Sequence, residues 1–391
     1  MNTPVPAHRQ RWSWRSQAFR GVIYQIIAVA AIVFVISVLT NNTLTNMAAR
    51  GIQSGFDFLG DPAGFDIGES IIPFQSQQPY WQAFIVGLLN TLRVAILGII
   101  LTTILGTLLG VGSFSRNILV RAVCTAYVEF FRNVPVLIQL LLWYFLLTHL
   151  LPDSWAPWKW GTLFLSKGGL TFPEPVWAIG HLTALLGGVV GVVAAVVVRR
   201  RARKHFEATG EPRSLIWVPL AVVLLGILIG WAVGGAPMEM NAPHKGEFAV
   251  EGGASVTPEF LAITLGLTIY TASFVAEVVR AGIQSVPQGQ GEAASALGLS
   301  KGQSMRLILL PQALRVIIPP VTNQFLNLTK NSSLAVAIGY PDIVSITNTS
   351  LNQTGRAVEC IAVVMLVYLT TSLATSGLMN WYNKRSAILE R

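Results

Sequence analysis

Residues 22–40 read VIYQIIAVAAIVFVISVLT, an apolar run without one charged side chain. About 20 such residues in a helix reach across the hydrocarbon layer of a bilayer, where each backbone amide must find its partner inside the segment. The run therefore ties the chain to a membrane, and others like it follow. Eight spans are expected, at 22–40, 82–112, 133–151, 177–198, 215–234, 258–282, 313–338 and 357–382. Charged residues make up only 12% of the 391, about half the share of a soluble domain. The expected fold class is an all-α polytopic membrane protein. A cleaved signal peptide competes for the first run. That run exceeds the usual apolar region of a leader, and TNNTLTNM after it offers no small-residue cleavage site, so a retained anchor is expected.

The net charge is +9, which raises the question of a nucleic-acid partner. The placement of the cations answers it. With the N-terminus inside, twenty Lys and Arg fall on inner segments: the leader with Arg9, Arg11, Arg15 and Arg20, the region of Arg116, Arg121 and Arg132, the RRRARKHFEATGEPR loop, the stretch from Arg280 to Arg315, and the tail. Five fall outside: Arg50, Lys159, Lys167, Lys245 and Arg356. Short inner loops collect Lys and Arg, so both termini are expected in the cytoplasm. The positive charge then faces anionic membrane lipid, and no nucleic acid is needed.

The outer segments 41–80 and 235–257 are rich in Gly, Pro, Asp and Glu and read as solvated connectors; Trp155, Trp158 and Trp160 suit an interfacial aromatic belt. Cys124 and Cys360 sit far apart in apolar runs and read as small buried hydrophobes. The five histidines are scattered, with neither a metal-ligand spacing nor a catalytic pairing. No metal site and no catalytic residue is expected.

One polar patch interrupts the apolar pattern. Residues 291–315 read GEAASALGLSKGQSMRLILLPQALR. Ser285 with Gln288 has the spacing of a capping box, so a helix is expected to begin there and run through Glu292, Ala293 and Ala294. Gly298 suits a left-handed C-terminal cap. Ser300 with Gln303 repeats the capping spacing and starts a second helix, which meets Pro311 and enters the seventh span. From the residues alone, this is either an elbow joining two spans or a handle for another protein.

Charges inside spans are costly and often functional. Arg93, Glu277, Arg280 and Lys330 are therefore substrate-path candidates, with Asn331, Asn323 and Asn327 near Lys330. Each has a plainer reading. Arg93 can snorkel, Glu277 can pair with Arg280 three residues on, and Asn90 and Thr91 can satisfy a helix end. KNSSLAVAIG, beginning at Lys330, suits a break in a span. Gly106 and Gly110 form a GxxxG that permits close helix approach.

The arrangement Glu292, Ala293, Ala294, Gly298, Ile308, Leu310 and Pro311 resembles the EAA loop of ABC importer permeases. NTLRVAILGIILTTILG at 90–106, YVEFFRNVPVLIQLLLWYF at 127–145, YTASFVAEVVRAGIQSVPQGQGEAA at 270–294 and LPQALRVIIPP at 310–320 are similar to the polar amino acid uptake family. Within it the chain most resembles the larger permease subunit of general L-amino acid importers. The resemblance implies a type I importer core at 81–151 and 258–391, preceded by an anchor and periplasmic loop at 1–80 and interrupted at 152–257 by an inserted helix pair.

It implies residence in a bacterial inner membrane, a pair of ABC ATPase subunits as partners, a second permease subunit (a paralogue), and a periplasmic amino-acid-binding protein. The seven residues of the pattern, within a loop at about 285–311, would form the coupling element. The chain contains no G-x-x-x-x-G-K-[ST], so ATP and Mg are expected on the partner ATPase, with no cofactor here and no enzymatic activity of the chain's own. An ion-coupled secondary transporter, a membrane-integral enzyme, and an ABC permease for another solute class are the alternatives.

Overall fold

The computed structural model describes residues 17–49, 51, 54–210 and 217–386. The expected inner cations Arg9, Arg11, Arg15, Arg213 and Arg391, and the outer Arg50, lie outside them. In chain order the main elements are helices α1 (Gln17–Ala49), α2 (Tyr80–Gly112), α3 (Ile118–Asn133) and α4 (Val136–His149). Strands β1 (Trp158–Trp160), β2 (Leu163–Ser166), β3 (Gly169–Phe172) and β4 (Glu174–Pro175) precede α5 (Ile179–Thr209) and α6 (Trp217–Val233). After β5 (Met240–Asn241), β6 (His244–Lys245), β7 (Val250–Glu251) and β8 (Ala254–Val256) comes α7 (Pro258–Gln284). The chain closes with α8 (Gln288–Ala296), α9 (Lys301–Ser304), α10 (Leu310–Asn331), α11 (Ile343–Thr354) and α12 (Ala357–Ser386).

The protein is mostly helical, yet not all-α. Strands β1, β2, β3 and β8 form an antiparallel sheet, with Leu170 opposite Val256. The segments flanking the α5–α6 hairpin, including 235–257 expected as a connector, are thus folded structure. Alternation of side chains across short strands was lost to view among the Gly and Pro of these segments.

Among the described residues, six helices are long and apolar enough to cross a bilayer: Phe19–Ala49, Tyr80–Gly112, Ile179–Thr209, Pro258–Gln284, Lys301–Ile338 and Ala357–Trp381. The expected spans at 133–151 and 215–234 take other forms. The first is α4, 14 residues or about 21 Å, which meets α3 at 106°. Pro135 makes the bend: it lacks an N–H, and it drives Val134 out of the helical region to φ −100°, ψ 127°. Buried Gln139 then donates to the carbonyls of Phe131 and Val134, 2.9 Å each, which the bend would leave bare. The second is α6, whose 17 residues reach about 26 Å.

Two compact units share the chain. The first comprises residues up to Arg93 and Pro341–Tyr382. Along the lipid-like stretch of α1 nearly every side chain is exposed. The core of this unit gathers Phe58, Ala83, Phe84, Ile343, Ile346 and Cys360 around Tyr80, with the Phe58 ring set edge-on to Tyr80 at 5.6 Å. The segment after α1 is held to the start of α12 by charge: buried Arg356 donates to Asp57 Oδ2 at 3.0 Å and to the Gly55 carbonyl at 3.1 Å, and the Gly55 amide donates to Glu359 Oε1 at 2.6 Å.

Asn90 and Thr91 lie well inside α2 rather than at its end. Asn90 donates to the carbonyls of Glu69 and Pro341, and Thr91 Oγ1 accepts from the Ile343 amide at 3.1 Å. They fix the start of α11. Asp342, its N-cap, accepts from the Ser345 amide at 2.8 Å and is fully buried, while its Oδ2 finds no donor among the described residues. Burial pushes its carboxyl up from 3.8 to about 7. A carboxyl raised in the fold is protonated preferentially there, so its contribution to stability is greatest at pH below 3.8 and falls as pH rises to about 7. Asp342→Asn keeps the capping oxygen and removes the charge. We expect thermal melting of the purified variant to be flatter between those limits and its midpoint to exceed the wild type at pH 8 by a few degrees; an unchanged pH profile would refute the assignment.

The second unit holds Val94–Tyr340. Its core buries Leu140, Ile263, Leu267, Leu328, Ala335 and Tyr340 completely. Thr257 caps α7, its hydroxyl accepting from the Phe260 amide, with Pro258 in the first turn. α7 is the central helix. A Cβ added to Gly106 would lie 2.7 Å from Val275 Cβ, and one on Gly110 would lie 2.8 Å from the Ala276 carbonyl oxygen. The GxxxG of α2 thus seats that part of the helix directly on α7. Cys124 and Cys360 are free and buried, as expected.

Candidate functional site

The polar patch is a hydrogen-bonded turn. Ser285 does not begin the helix: it caps the end of α7, and its hydroxyl donates to the Gly282 carbonyl at 2.8 Å. Pro287, extended at ψ 137°, sets the entry to α8 without a side-chain cap. Pro287 itself occupies the N-cap position and Ser285 is taken up by the end of α7, so the Ser–Gln spacing is not used. At the other end, Gly298 adopts φ +75°. The Leu299 amide donates to the Ala294 carbonyl at 3.1 Å and the Gly298 amide to the Ser295 carbonyl at 3.0 Å, the paired bonds of a Schellman cap.

The second expected box is present. The Ser300 amide donates to Gln303 Oε1 at 2.9 Å, and the Gln303 amide to Ser300 Oγ at 3.4 Å. The following helix takes a π turn at Met305–Leu309, where the Leu310 amide reaches back to the Met305 carbonyl. Pro311 comes next and has no N–H for an α-type bond, so the wider turn falls where the ladder is already broken. Gln312, which sequence reasoning passed over, links the two helices: its Nε2 donates to Gln290 Oε1 at 3.2 Å and to the Ile308 carbonyl at 3.1 Å.

On this frame Ala294 is fully buried and anchors α8. Glu292, Ala293, Gly298 and Leu297 stand exposed, Leu297 at 78%. Ile308 and Pro311 are half-buried and Leu310 is 40% exposed. The turn thus presents one carboxylate, a small-residue surface and one bare leucine. Beside it, an apolar cleft of about 980 Å³ is lined by Phe114, Val286, Pro287, Met305, Leu309 and Ala313, with Glu292 at its margin.

The charged residues within spans fall into two sets. Glu277 is committed: Arg280 donates to both of its oxygens, at 2.5 and 3.1 Å, and Arg132 of α3 approaches at 3.8 Å. Arg132 also lies over the Phe274 ring, and Tyr127 donates to the Ile269 carbonyl at 2.9 Å. These contacts hold α3 on α7. Arg93 is paired with buried Glu69 from the segment before α2, an ion pair rather than a snorkelling side chain.

Lys330 differs. It is exposed near the end of α10, and Asn331 beside it is half-buried. The helix gives way there to a 3-10 turn, Ser332–Ile338, closed by Gly339 at φ +79°, so the expected break in the span is real. Val316, Pro319, Asn323, Asn327 and Lys330 are all exposed and recur every three or four residues, the spacing of one helix face. Among the described residues no group of three or more His, Cys, Asp or Glu is placed to hold a metal ion.

Long apolar helices joined through an exposed turn of this make mark a membrane-embedded chain. The chain belongs to the family of binding-protein-dependent transport system inner membrane components, whose profile matches residues 187–388. It is 43% identical to the general L-amino acid transport system permease protein AapQ of Rhizobium johnstonii over 99% of this chain and 98% of that protein. It is 45% identical to the putative amino-acid ABC transporter permease protein YhdX of Escherichia coli, with 97% of each covered. It is 39% identical to the glutamate/glutamine/aspartate/asparagine transport system permease protein BztB of Rhodobacter capsulatus, with 95% of each covered.

Proposed function

We propose that the chain is one permease subunit of an ATP-driven, binding-protein-dependent importer of L-amino acids in a bacterial inner membrane. End-to-end similarity to amino-acid permeases supports the substrate class, and the preformed turn at Glu292–Pro311 carries the mechanism. In this reading the six long helices, the bent α3–α4 pair and α6 make eight spans with both termini in the cytoplasm. Exposed α8 enters a recess of the ATPase dimer, which holds the ATP and Mg. A second, paralogous permease completes the pathway, and a periplasmic binding protein delivers the solute.

Motion of the docked α8 pulls on α7 and α10, which are joined to it at either end and cross-linked by Gln312 and Gln290. ATP turnover then selects between two packings of the spans by binding one more tightly than the other. The face of Asn323, Asn327 and Lys330, with Asn331 at its end, lines the path. Lys330 there supplies a cation for an amino acid's carboxylate. Glu277 and Arg93, both engaged in ion pairs, act in packing.

The test is reconstitution of the chain with its ATPase, second permease and binding protein in proteoliposomes, scored by uptake of labelled amino acids. Uptake is expected only with ATP and all components, and Lys330→Met is expected to lower it about tenfold, the effect of losing ~1.4 kcal/mol of carboxylate binding. Solute movement by the purified chain alone under an ion gradient would overturn the reading.

A further inference from the structure

The α5–α6 hairpin carries five basic residues within six positions, Arg199, Arg200, Arg201, Arg203 and Lys204. Its helices are antiparallel and meet through glycines: a Cβ on Gly187 would strike Gly226, one on Gly191 would meet Val223, and one on Gly230 would strike Thr183. Each step along α5 is matched by one step back along α6. Continuing this register sets Trp217, the first residue of α6, level with Val197. The apolar stretch of α5, Ile179 to Val198, is thus bracketed by Trp177 at one end and Trp217 at the other, both highly exposed. Twenty residues rise about 30 Å, the thickness of the hydrocarbon layer, and tryptophan marks its two boundaries.

Beyond that boundary α5 continues unbroken to Thr209, so its first turns past Trp217 stand at headgroup depth. All five basic side chains there are exposed, while Ala202 among them is buried. Among the described residues only Arg203 has a carboxylate partner, Glu207 at 3.0 Å. The outer faces of the hairpin, with Leu185, Val189, Val193, Leu224 and Leu228, are bare and apolar. An apolar groove of about 620 Å³ follows α5 from Val193 to Trp177, bounded on the other side by Val223 and Ile227 of α6, with His181 near its far end.

We propose that this hairpin is a lipid-recognition element, its groove filled by acyl chains and its basic collar selecting anionic headgroups. The collar stands where a lipid phosphate must lie, and the deeper part of an acyl chain reaching down from it meets the near end of the groove at Val193, six residues or about 9 Å below Arg199. An acidic protein or a nucleic acid would match the charge but not the groove. The inference rests on the proposed reading only in placing this end of α5 at the anionic cytoplasmic leaflet.

The test uses the full chain, purified in mild detergent and offered equal phosphatidylglycerol and phosphatidylcholine, with bound lipid counted by native mass spectrometry. Wild type is expected to favour phosphatidylglycerol on the order of tenfold, a preference that falls as salt rises. Replacing Arg199, Arg200, Arg201 and Lys204 together by Gln should bring the ratio near unity, and replacing the three Arg by Lys should preserve it. A preference unchanged in the Gln variant, or insensitive to salt in the wild type, overturns the proposal. Displacement of the lipid by glycerol phosphate or short duplex DNA overturns it in favour of a soluble polyanion. Thiol labelling of Thr209→Cys from each side of intact cells, with Cys124 and Cys360 buried, tests the orientation separately. Outside labelling would refute the topology while leaving the measured lipid preference to stand or fall by itself.

Discussion

Glu292→Lys and Gly298→Val are expected to leave the chain inserted and folded while cutting ATP-driven uptake at least about tenfold. The two act differently. Glu292 is exposed, so its replacement costs the fold little and changes only what the turn offers a partner. Gly298 holds φ +75°, where an L side chain adds 1–2 kcal/mol of strain and a branched one more. Escape from that strain breaks the bonds from the Gly298 and Leu299 amides, and the turn loses its shape. A docking surface displaced by this much loses about tenfold in affinity for each ~1.4 kcal/mol. Co-purification of the ATPase and binding-protein-stimulated hydrolysis give the readout. Gly298→Asn, which tolerates the left-handed region, is expected to stay close to wild type. Full activity in both the Lys and the Val variants would remove α8 from the mechanism.

The second large effect lies in packing. Gly106→Leu and Gly110→Leu should each lower the yield of monodisperse protein and reduce stability by about 3 kcal/mol or more, the upper end for overpacked sites. Even a methyl at Gly110 would sit 2.8 Å from the Ala276 carbonyl oxygen and from Val279 Cβ, contacts that real Cβ atoms do not make. Backbone atoms of α7 are the obstacle, and they cannot turn aside as a side chain does. Gly377→Leu, where an added Cβ meets nothing within 4 Å, is the control and should melt with the wild type. If the Gly110 variant melted with that control, the close seating of α2 on α7 would be refuted.

What the sequence displayed and what it hid separate along physical lines. Uninterrupted apolar runs such as 22–40 and 357–382 need only length and composition, and they stand as helices. The Gly298 cap and the Ser300–Gln303 box were equally legible, because both depend on neighbours three to five residues apart. Ser285 was misread: the same spacing fits a helix start, and Pro287 supplied one without it. The bend at Pro135 was concealed by hydrophobicity, which scores α3 and α4 alike whether they are collinear or at 106°. Contacts distant along the chain had no local signature at all. Nothing near Arg93 announces Glu69, nothing near Asn90 announces Pro341, and Gln312 looks like any polar residue after a proline until Gln290 stands beside it. The pairing of β3 with β8 escaped for the same reason, since Leu170 and Val256 meet only across the inserted hairpin, while β1, β2 and β3 are local but only three or four residues long.

The doubly capped elbow has a consequence for speed. Because its backbone bonds are already closed in the free chain, a motor gripping it as proposed would meet a finished part and spend no stroke on ordering a slack one. Force applied to its nine residues would then reach two long shafts at once.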